Sequence, residues 1–276
     1  MLKTRVITAL ILLPAFLAAL FFLPHLGWEV LMAAVVLVAA KEWSKLAGFS
    51  APGAIAYLAV TAVLLVGAHF LLRPANYSVY YLMAAASVFW LVIAPLWLKF
   101  GWQVRHPLAL AITGWMVLIP TWLAAADLRA SSPVLLLFVM AVVWIADSAA
   151  YFAGRKWGRH KLAPAISPGK TWEGVAGALV AVTAGGVVFS YAAGVMAELG
   201  KASIFIMTAI LWLLTAVSVL GDLFESHLKR QAGVKDSGTI LPGHGGMLDR
   251  IDSLTAVLPV AAWIWYFFLY WSFNRG

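Results

Sequence analysis

Cysteine is absent from this sequence, and charged side chains are scarce. The lack of cysteine excludes disulfides, thiolate nucleophiles and cysteine-ligated metal sites. Only 11% of the 276 residues are charged, whereas the average in soluble proteins is about 25%. No polar stretch is long enough to form a separate soluble domain. A chain of this composition cannot cover a water-exposed surface, so the sequence excludes a soluble globular protein and indicates an integral membrane protein.

Apolar runs fill most of the chain, in which 64% of the residues are hydrophobic. A helix needs about 17 to 25 such residues to cross ~30 Å of hydrocarbon. The first run could also be a secretory signal peptide, but no clear cleavage pattern follows it, so we expect a retained helix. The sequence therefore predicts an all-α polytopic membrane protein with about nine transmembrane helices. The predicted spans are 5–23, 27–46, 53–72, 77–98, 107–126, 131–153, 173–196, 202–226 and 252–273.

The placement of positive charge predicts the orientation. With the N-terminus in the cytoplasm, the cytoplasmic segments hold all but four of the 19 Lys and Arg residues, the exceptions being Arg73, Arg129, Lys201 and Arg275. Cytoplasmic loops carry such an excess in membrane proteins. We therefore expect the N-terminus in the cytoplasm and the C-terminus outside.

One transmembrane domain, residues 1–276, is expected, with two parts. Residues 1–130 would be amino-terminal helices that provide a dimer or lipid-facing region. Residues 131–276 would be catalytic helices with two cytoplasmic loops, 154–172 and 227–251. Both loops are long and rich in polar side chains, and acidic residues flank them.

These acidic residues are expected to converge on one site, because carboxylates at membrane depth are costly and normally face a polar cavity. They are Asp147, Glu173, Asp222, Glu225, Asp249 and Asp252. Asp222 and Ser226 are four residues apart, and Asp249 and Asp252 are three apart, so each pair shares one helix face. Such an oxygen-rich set suits Mg²⁺. Helix capping is the alternative explanation for the pair at 249 and 252.

Five cations in or beside the two loops are typical phosphate donors: Lys170, Lys229, Arg230, Lys235 and Arg250. Gly243, Gly245 and Gly246 would let backbone N–H groups approach an anion. Zinc ligation by His227 and His244 is an alternative, although no H-E-x-x-H helix supports it. Acids for a metal, cations for phosphate and flexible glycines together indicate phosphoryl or nucleotidyl transfer on a lipid.

Two motifs make the prediction specific. The segment SHLKRQAGVKDSGTILPGHGGMLDRID, residues 226–252, resembles the signature of phosphatidate cytidylyltransferases, also called CDP-diacylglycerol synthases. That signature is S-x-x-K-R, four residues, K-D, then P-G-H-G-G-x-x-D-R-x-D, and every fixed position is met. SPGKTWEG, residues 167–174, is similar to a second motif of the family, S-P-x-K-T-x-E-G. The strong resemblance covers about the last 110 residues.

The resemblance implies the reaction of CTP (or dCTP) with phosphatidate to give CDP-diacylglycerol and diphosphate, a step in phospholipid biosynthesis. It implies a divalent metal, Mg²⁺, with K⁺ as a companion ion. It also implies a homodimer in the cell inner membrane whose active site faces the cytoplasm.

Residue roles follow from the same resemblance and from the chemistry of the side chains. The expected catalytic residues are Asp249, Asp222, Lys170, Lys229 and Arg230. The expected substrate-binding residues are Ser226, Ser167, Lys235, His244, Gly245, Gly246 and Arg250. For His244 the alternative is that it only shapes the loop. The expected metal ligands are Asp222, Asp249 and Asp252.

Three other functions are alternatives to this prediction. A transporter would also carry acids within the membrane, but it would show inverted repeats or broken paired helices, and the sequence shows neither. A CDP-alcohol phosphotransferase would contain D-G-x-x-A-R, whereas no Asp-Gly pair occurs here. A noncatalytic lipid-binding scaffold would tolerate the loss of Asp249 or Lys170.

Overall fold

Helices make up almost all of the computed structural model, which describes residues 2–72, 76–192, 202–240 and 245–273. The helices are α1 Leu2–Phe22, α2 His25–Leu46, α3 Ala51–Gly67, α4 Asn76–Val88, α5 Ala94–Phe100, α6 Pro107–Ser131, α7 Pro133–Trp157, α8 Trp172–Ala192, α9 Ala202–Gln231 and α10 Leu248–Phe273. Two π-helical segments, Ala68–Leu72 and Phe89–Ile93, extend α3 and join α4 to α5. The prediction of an all-α fold is confirmed.

Seven helical segments in the described residues are long and apolar enough to cross a membrane. They are Ala51–Leu72, Ser78–Phe100, Pro107–Ser131, Pro133–Trp157, Trp172–Tyr191, Ile204–Gln231 and Leu248–Phe268. These segments match the last seven predicted spans and confirm a polytopic membrane protein. The first two predicted spans fall on α1 and α2. Helix α2 carries four charged residues.

The connections that follow α2, α5, α7 and α9 meet at one end of the helix bundle. His227 Nε2, near the end of α9, lies 3.0 Å from the carbonyl oxygen of Trp102, just after α5. Glu42, near the end of α2, accepts a hydrogen bond of 2.7 Å from the N–H of Leu248 at the start of α10. These connections belong to the segments in which the sequence concentrates its positive charge.

The opposite end is tied together by Arg129, a buried residue of α6. Its Nε donates to the carbonyl oxygen of Leu20 in α1 at 2.7 Å, and its guanidinium also bonds the carbonyl oxygen of Leu23. Beside it, Trp265 of α10 donates to Ser131 Oγ at 3.0 Å. Helices α1, α6 and α10 are thus fixed to one another far from the charged connections.

A short antiparallel hairpin connects α7 to α8, inside the segment predicted as a loop over 154–172. Strand β1, Lys161–Ala163, pairs with β2, Ser167–Thr171. The α7 helix continues to Trp157, so the non-helical connection is shorter than the predicted loop. The loop predicted over 227–251 is also shorter, because α9 ends at Gln231 and α10 begins at Leu248.

Helix α10 lies in the core and packs closely on α9. A Cβ added at Gly221 of α9 would lie 2.6 Å from the carbonyl oxygen of Asp252 and 3.1 Å from Ser253 Cα. Only glycine permits this approach, because real Cβ atoms do not come so near to a backbone. The close contact brings Asp222, the next residue of α9, beside the first turns of α10.

Candidate active site

A cavity of about 650 Å³ opens at the charged end of the bundle, between α7, the hairpin, α8, α9 and α10. Ten of the residues predicted to form the site line it: Ser167, Lys170, Asp222, Ser226, Lys229, Arg230, Lys235, Asp249, Arg250 and Asp252. The two sequence motifs, which are separate in the chain, therefore contribute to one cavity. Gly245 and Gly246 lie beside Asp249, outside the cavity lining. His244 and Gly243 lie outside the described residues.

Asp222 links the two motifs. Its Oδ2 lies 2.8 Å from Lys170 Nζ, which strand β2 supplies, and its Oδ1 accepts a hydrogen bond of 3.2 Å from Ser226 Oγ. The predicted shared face of Asp222 and Ser226 is confirmed by this bond. Both partners of the ion pair remain partly exposed to the cavity, so a ligand there can compete for them.

Asp249 is held from three directions. Its Oδ1 lies 2.7 Å from Lys229 Nζ, and its Oδ2 accepts the backbone N–H groups of Ser237 at 3.0 Å and Gly246 at 2.8 Å. Lys229 Nζ also lies 3.1 Å from Glu225 Oε2. A carboxylate has about four acceptor positions, and these contacts use most of them. The orientation of Asp249 is therefore strongly constrained.

Two further acids, Asp147 of α7 and Asp252 of α10, line the same cavity. Asp222 is close enough to both for electrostatic interaction. The sequence pointed to Asp147 as an acid within a predicted span but gave it no role. Over the described part of the chain, no group of three or more His, Asp or Glu side chains is close enough to form a metal site as it stands.

Three exposed cations stand at the cavity wall: Arg230, Lys235 and Arg250. Arg230 Nε donates only a long bond, 3.4 Å, to the carbonyl oxygen of Ile166. Within the described ranges, Lys235 and Arg250 form no ion pair. These side chains are free to bind an anionic ligand such as a phosphate.

The glycines beside Asp249 have a local structural reason. Gly245 has a φ of +81°, which favours glycine, and a Cβ there would lie 2.7 Å from Asp249 Oδ2. The N–H of Gly246 is one of the donors to Asp249. The two glycines thus let the chain curve around this carboxylate. The approach of phosphate to their N–H groups stays a prediction.

Glu173 does not join the other acids. Its carboxylate lies 2.6 Å from His160 Nδ1 and accepts the N–H of Arg159 at 3.1 Å, so it closes the base of the hairpin. Next to it, Thr171 lines the cavity, and its Oγ1 accepts the N–H of Gly174 at 3.2 Å in the first turn of α8. The expectation that all six acids converge was wrong for Glu173, because residues at the other end of the hairpin, Arg159 and His160, satisfy its carboxylate.

His227 offers no support for a zinc site. Its side chain is buried, and its Nε2 lies against a backbone carbonyl rather than a second ligand. The sequence also gave no role to Thr171 or to Asp236, both of which line the cavity. Their positions within the two motifs were the available signal.

Comparison with known proteins covers nearly the whole chain. Residues 3–268 match the model described as the cytidylyltransferase family. The chain belongs to this family. The family resemblance predicted from the two motifs is therefore confirmed, and the match also includes the amino-terminal half, which the motifs do not cover.

Several curated members of the cytidylyltransferase family are similar to this chain, and each is named phosphatidate cytidylyltransferase. The protein of Pseudomonas aeruginosa is 40% identical over 278 residues, which is 96% of this chain and 97% of that protein. The protein of Haemophilus influenzae is 36% identical over 294 residues, which is 98% of this chain and 100% of that protein. That of Brucella suis is 37% identical over 263 residues, or 92% of this chain and 90% of the relative.

Proposed function

We propose that this chain is a phosphatidate cytidylyltransferase, which converts CTP and phosphatidate into CDP-diacylglycerol and diphosphate. The observation that carries the proposal is the convergence of both family motifs on one cavity at the charged end of an apolar helix bundle. The similarity to enzymes of this name extends over almost the entire chain.

The chemistry needs positioning more than it needs a protein nucleophile. A phosphate oxygen of phosphatidate attacks the α-phosphorus of CTP in line, and a new P–O bond forms. The bond from the α-phosphorus to the oxygen that bridges to the β-phosphorus breaks, and diphosphate leaves with that electron pair. An ionised phosphate monoester is already nucleophilic, so this step requires no general base.

The cavity's cations would hold the phosphates. We propose that Lys170, Lys229 and Arg230 bind the triphosphate or the lipid phosphate. Lys235 and Arg250, at the exposed wall, are proposed as further phosphate contacts. Arg side chains can hold two phosphate oxygens at once, whereas Lys acts as a point charge. We propose the hydroxyls of Ser167 and Ser226 as further substrate contacts. His244, which lies outside the described residues, is proposed as another.

The carboxylates suit a divalent metal, because Mg²⁺ prefers oxygen ligands. We propose Asp222, Asp249 and Asp252 as its ligands, since all three line the cavity. Lys170 and Lys229 contact Asp222 and Asp249, at 2.8 and 2.7 Å, so a bound metal would take the place of these ammonium groups on the two carboxylates. When bound, Mg²⁺ would neutralise charge on the phosphates, and K⁺ is proposed as a companion ion.

We place the cavity on the cytoplasmic side of the cell inner membrane, with nine spans, the N-terminus inside and the C-terminus outside. The support is the excess of Lys and Arg in the connections at this end, since cytoplasmic loops carry such an excess. CTP would then arrive from the cytosol and phosphatidate from the bilayer. The homodimer implied by the family resemblance stays a prediction.

The direct test is diphosphate release by protein purified in detergent and supplied with CTP, phosphatidate and Mg²⁺. We expect release that requires all three, and the loss of this release in Asp249→Asn, while that variant still inserts into membranes. Absence of release over a range of lipids and metals, with solute flux across vesicles instead, would favour a transporter. Normal turnover by Asp249→Asn would refute the role of this residue.

A further inference from the structure

A buried carboxylate from the amino-terminal half supports the loop that carries Asp249. Glu42 of α2 is 4% exposed. Its Oε1 accepts the N–H of Met247 at 3.0 Å, and its Oε2 accepts the N–H of Leu248 at 2.7 Å and the hydroxyl of Ser237 at 3.0 Å. All three donors belong to the connection between α9 and α10 and to the first residue of α10, about 200 residues further along the chain.

These contacts lead directly to Asp249. The hydroxyl of Ser237 donates a hydrogen bond to Glu42, and its Oγ accepts a hydrogen bond of 3.3 Å from the backbone N–H of Asp249. The backbone N–H of Ser237 donates to both carboxylate oxygens of Asp249, at 3.0 and 3.2 Å. Ser237 therefore fixes the main chain and the side chain of Asp249, and Glu42 fixes Ser237.

Glu42 also satisfies the start of α10. The first N–H groups of a helix have no partner within the helix, and a negative charge is favourable there. The N–H groups of Met247 and Leu248 are such donors, and the carboxylate of Glu42 accepts both. This capping holds the helix turn in which Asp249 lies, so Glu42 acts on Asp249 by a second route.

The surrounding glycines are shaped to admit this carboxylate. A Cβ at Gly238 or at Gly246 would collide with the carboxylate oxygens of Glu42. Neither glycine has a positive φ, so backbone conformation does not require glycine at these positions. The space that the Glu42 carboxylate occupies does require it. The fit is close on both sides of the carboxylate.

Among the residues that the structure describes, the hydrogen-bond donors to the Glu42 carboxylate all come from this loop and the first residue of α10. Within the described residues, no Lys, Arg or His side chain lies within ion-pair distance of Glu42. A buried charge is costly without partners, and the partners here are two backbone N–H groups and one hydroxyl.

We propose that Glu42 is a positioning residue for Asp249, acting through Ser237 and the first turn of α10. This inference rests on the proposed function for one point, the part of Asp249 in cytidylyl transfer. It makes the amino-terminal helices a component of the active site, beyond their expected dimer or lipid-facing role.

The test compares Glu42→Gln with Glu29→Gln. Glu29 is a matched control, because it is a buried carboxylate of the same helix, 13 residues and therefore about 20 Å away at 1.5 Å per residue. The glutamine at position 42 keeps one acceptor oxygen but turns an NH₂ group toward a backbone N–H. Losing the support of a metal or catalytic ligand costs about 10- to 100-fold. We expect kcat of Glu42→Gln to fall by that factor with an unchanged KM for phosphatidate, and Glu29→Gln to stay within twofold of the wild type.

Hydrogen exchange gives a readout that does not depend on turnover. In Glu42→Ala the backbone amides of residues 245–249 should exchange at least tenfold faster than in the wild type, whereas Glu29→Gln should leave them unchanged. Faster exchange there, in a protein that makes no CDP-diacylglycerol even as wild type, would support the positioning role and refute the proposed function. The positioning role would be overturned if the amides of residues 245–249 exchanged in Glu42→Ala as slowly as in the wild type. It would also be overturned if the activity of the Glu42 variants fell only in proportion to the fraction of folded protein.

Ser237→Ala provides the second variant. If Glu42 acts through Ser237, the loss of kcat in Glu42→Gln/Ser237→Ala should be smaller than the product of the two single losses. A double variant whose loss equals that product would contradict the proposed path.

Discussion

Lys170 and Lys229 both line the cavity, yet replacing each by Met should lower the stability of the protein by different amounts. Lys229 is 13% exposed, and its Nζ lies 3.1 Å from Glu225 and 2.7 Å from Asp249, which are 4% and 7% exposed. Lys170 is 21% exposed and pairs at 2.8 Å with Asp222, which is 33% exposed. Lys229 therefore compensates two buried carboxylates, whereas Lys170 compensates one carboxylate that solvent reaches.

The expected magnitudes follow from this difference. Lys229→Met keeps the length of the side chain but leaves two buried carboxylates without their cation. Removing one partner of a buried pair costs about 3–5 kcal/mol, whereas losing an exposed pair costs about 1 kcal/mol or less. At about 2–4 °C per kcal/mol for a chain of this size, Lys229→Met should lower the unfolding midpoint by ~6–20 °C. The corresponding loss for Lys170→Met should not exceed ~4 °C.

Tryptophan fluorescence during heating in detergent measures both midpoints, since the chain has 14 Trp residues. Turnover measured at a temperature where both variants are folded should be lost in each, because both cations are proposed to hold phosphate. Adding Glu225→Gln to Lys229→Met removes one of the stranded charges and should restore part of the stability without restoring turnover. Equal midpoints for Lys170→Met and Lys229→Met would refute this reasoning.

Three further outcomes are expected elsewhere in the molecule. Gly221→Ala would push a Cβ to 2.6 Å from the carbonyl oxygen of Asp252, so we expect the free energy of unfolding to fall by about 1–3 kcal/mol and turnover to be lost. Gly67→Ala, where nothing lies within 4 Å of the added Cβ, should be nearly neutral in the same thermal and turnover assays. Thr171→Val removes the acceptor for an N–H in the first turn of α8 and should cost about 1 kcal/mol; an unchanged midpoint would contradict the capping role. Arg129→Gln removes bonds to two carbonyls at the end opposite the cavity, so the midpoint should fall by several degrees while kcat of the folded protein stays within twofold; a selective loss of kcat would contradict this separation.

The sequence predicted the helices well because hydrocarbon thickness sets a minimum length for every apolar run. Within the described residues, each of the nine predicted runs falls on helical structure. The π-helical segments were not foreseen, because Phe89–Ile93 is as apolar as its neighbours. The hairpin was also missed, since strands of three and five residues show too little alternation to be recognised.

The residues of the site were predictable because two dense motifs supply most of them, but their pairings were not. The ion pair between Lys170 and Asp222 joins residues 52 positions apart, and no local period encodes it. Glu42 lies outside both motifs, so neither of them pointed to it. Its role depends on a contact across 195 residues to Ser237, which only the packing of α2 against the loop reveals.

The central claim is that this cavity transfers a cytidylyl group to phosphatidate, and CTP labelled at either the α- or the γ-phosphorus tests it most directly. With purified protein and Mg²⁺, the account predicts that the α-label appears in the lipid fraction and the γ-label in diphosphate, in equal amounts. Asp222→Asn should abolish both. A γ-label in the lipid, or nucleotide breakdown that proceeds without phosphatidate, would contradict the account.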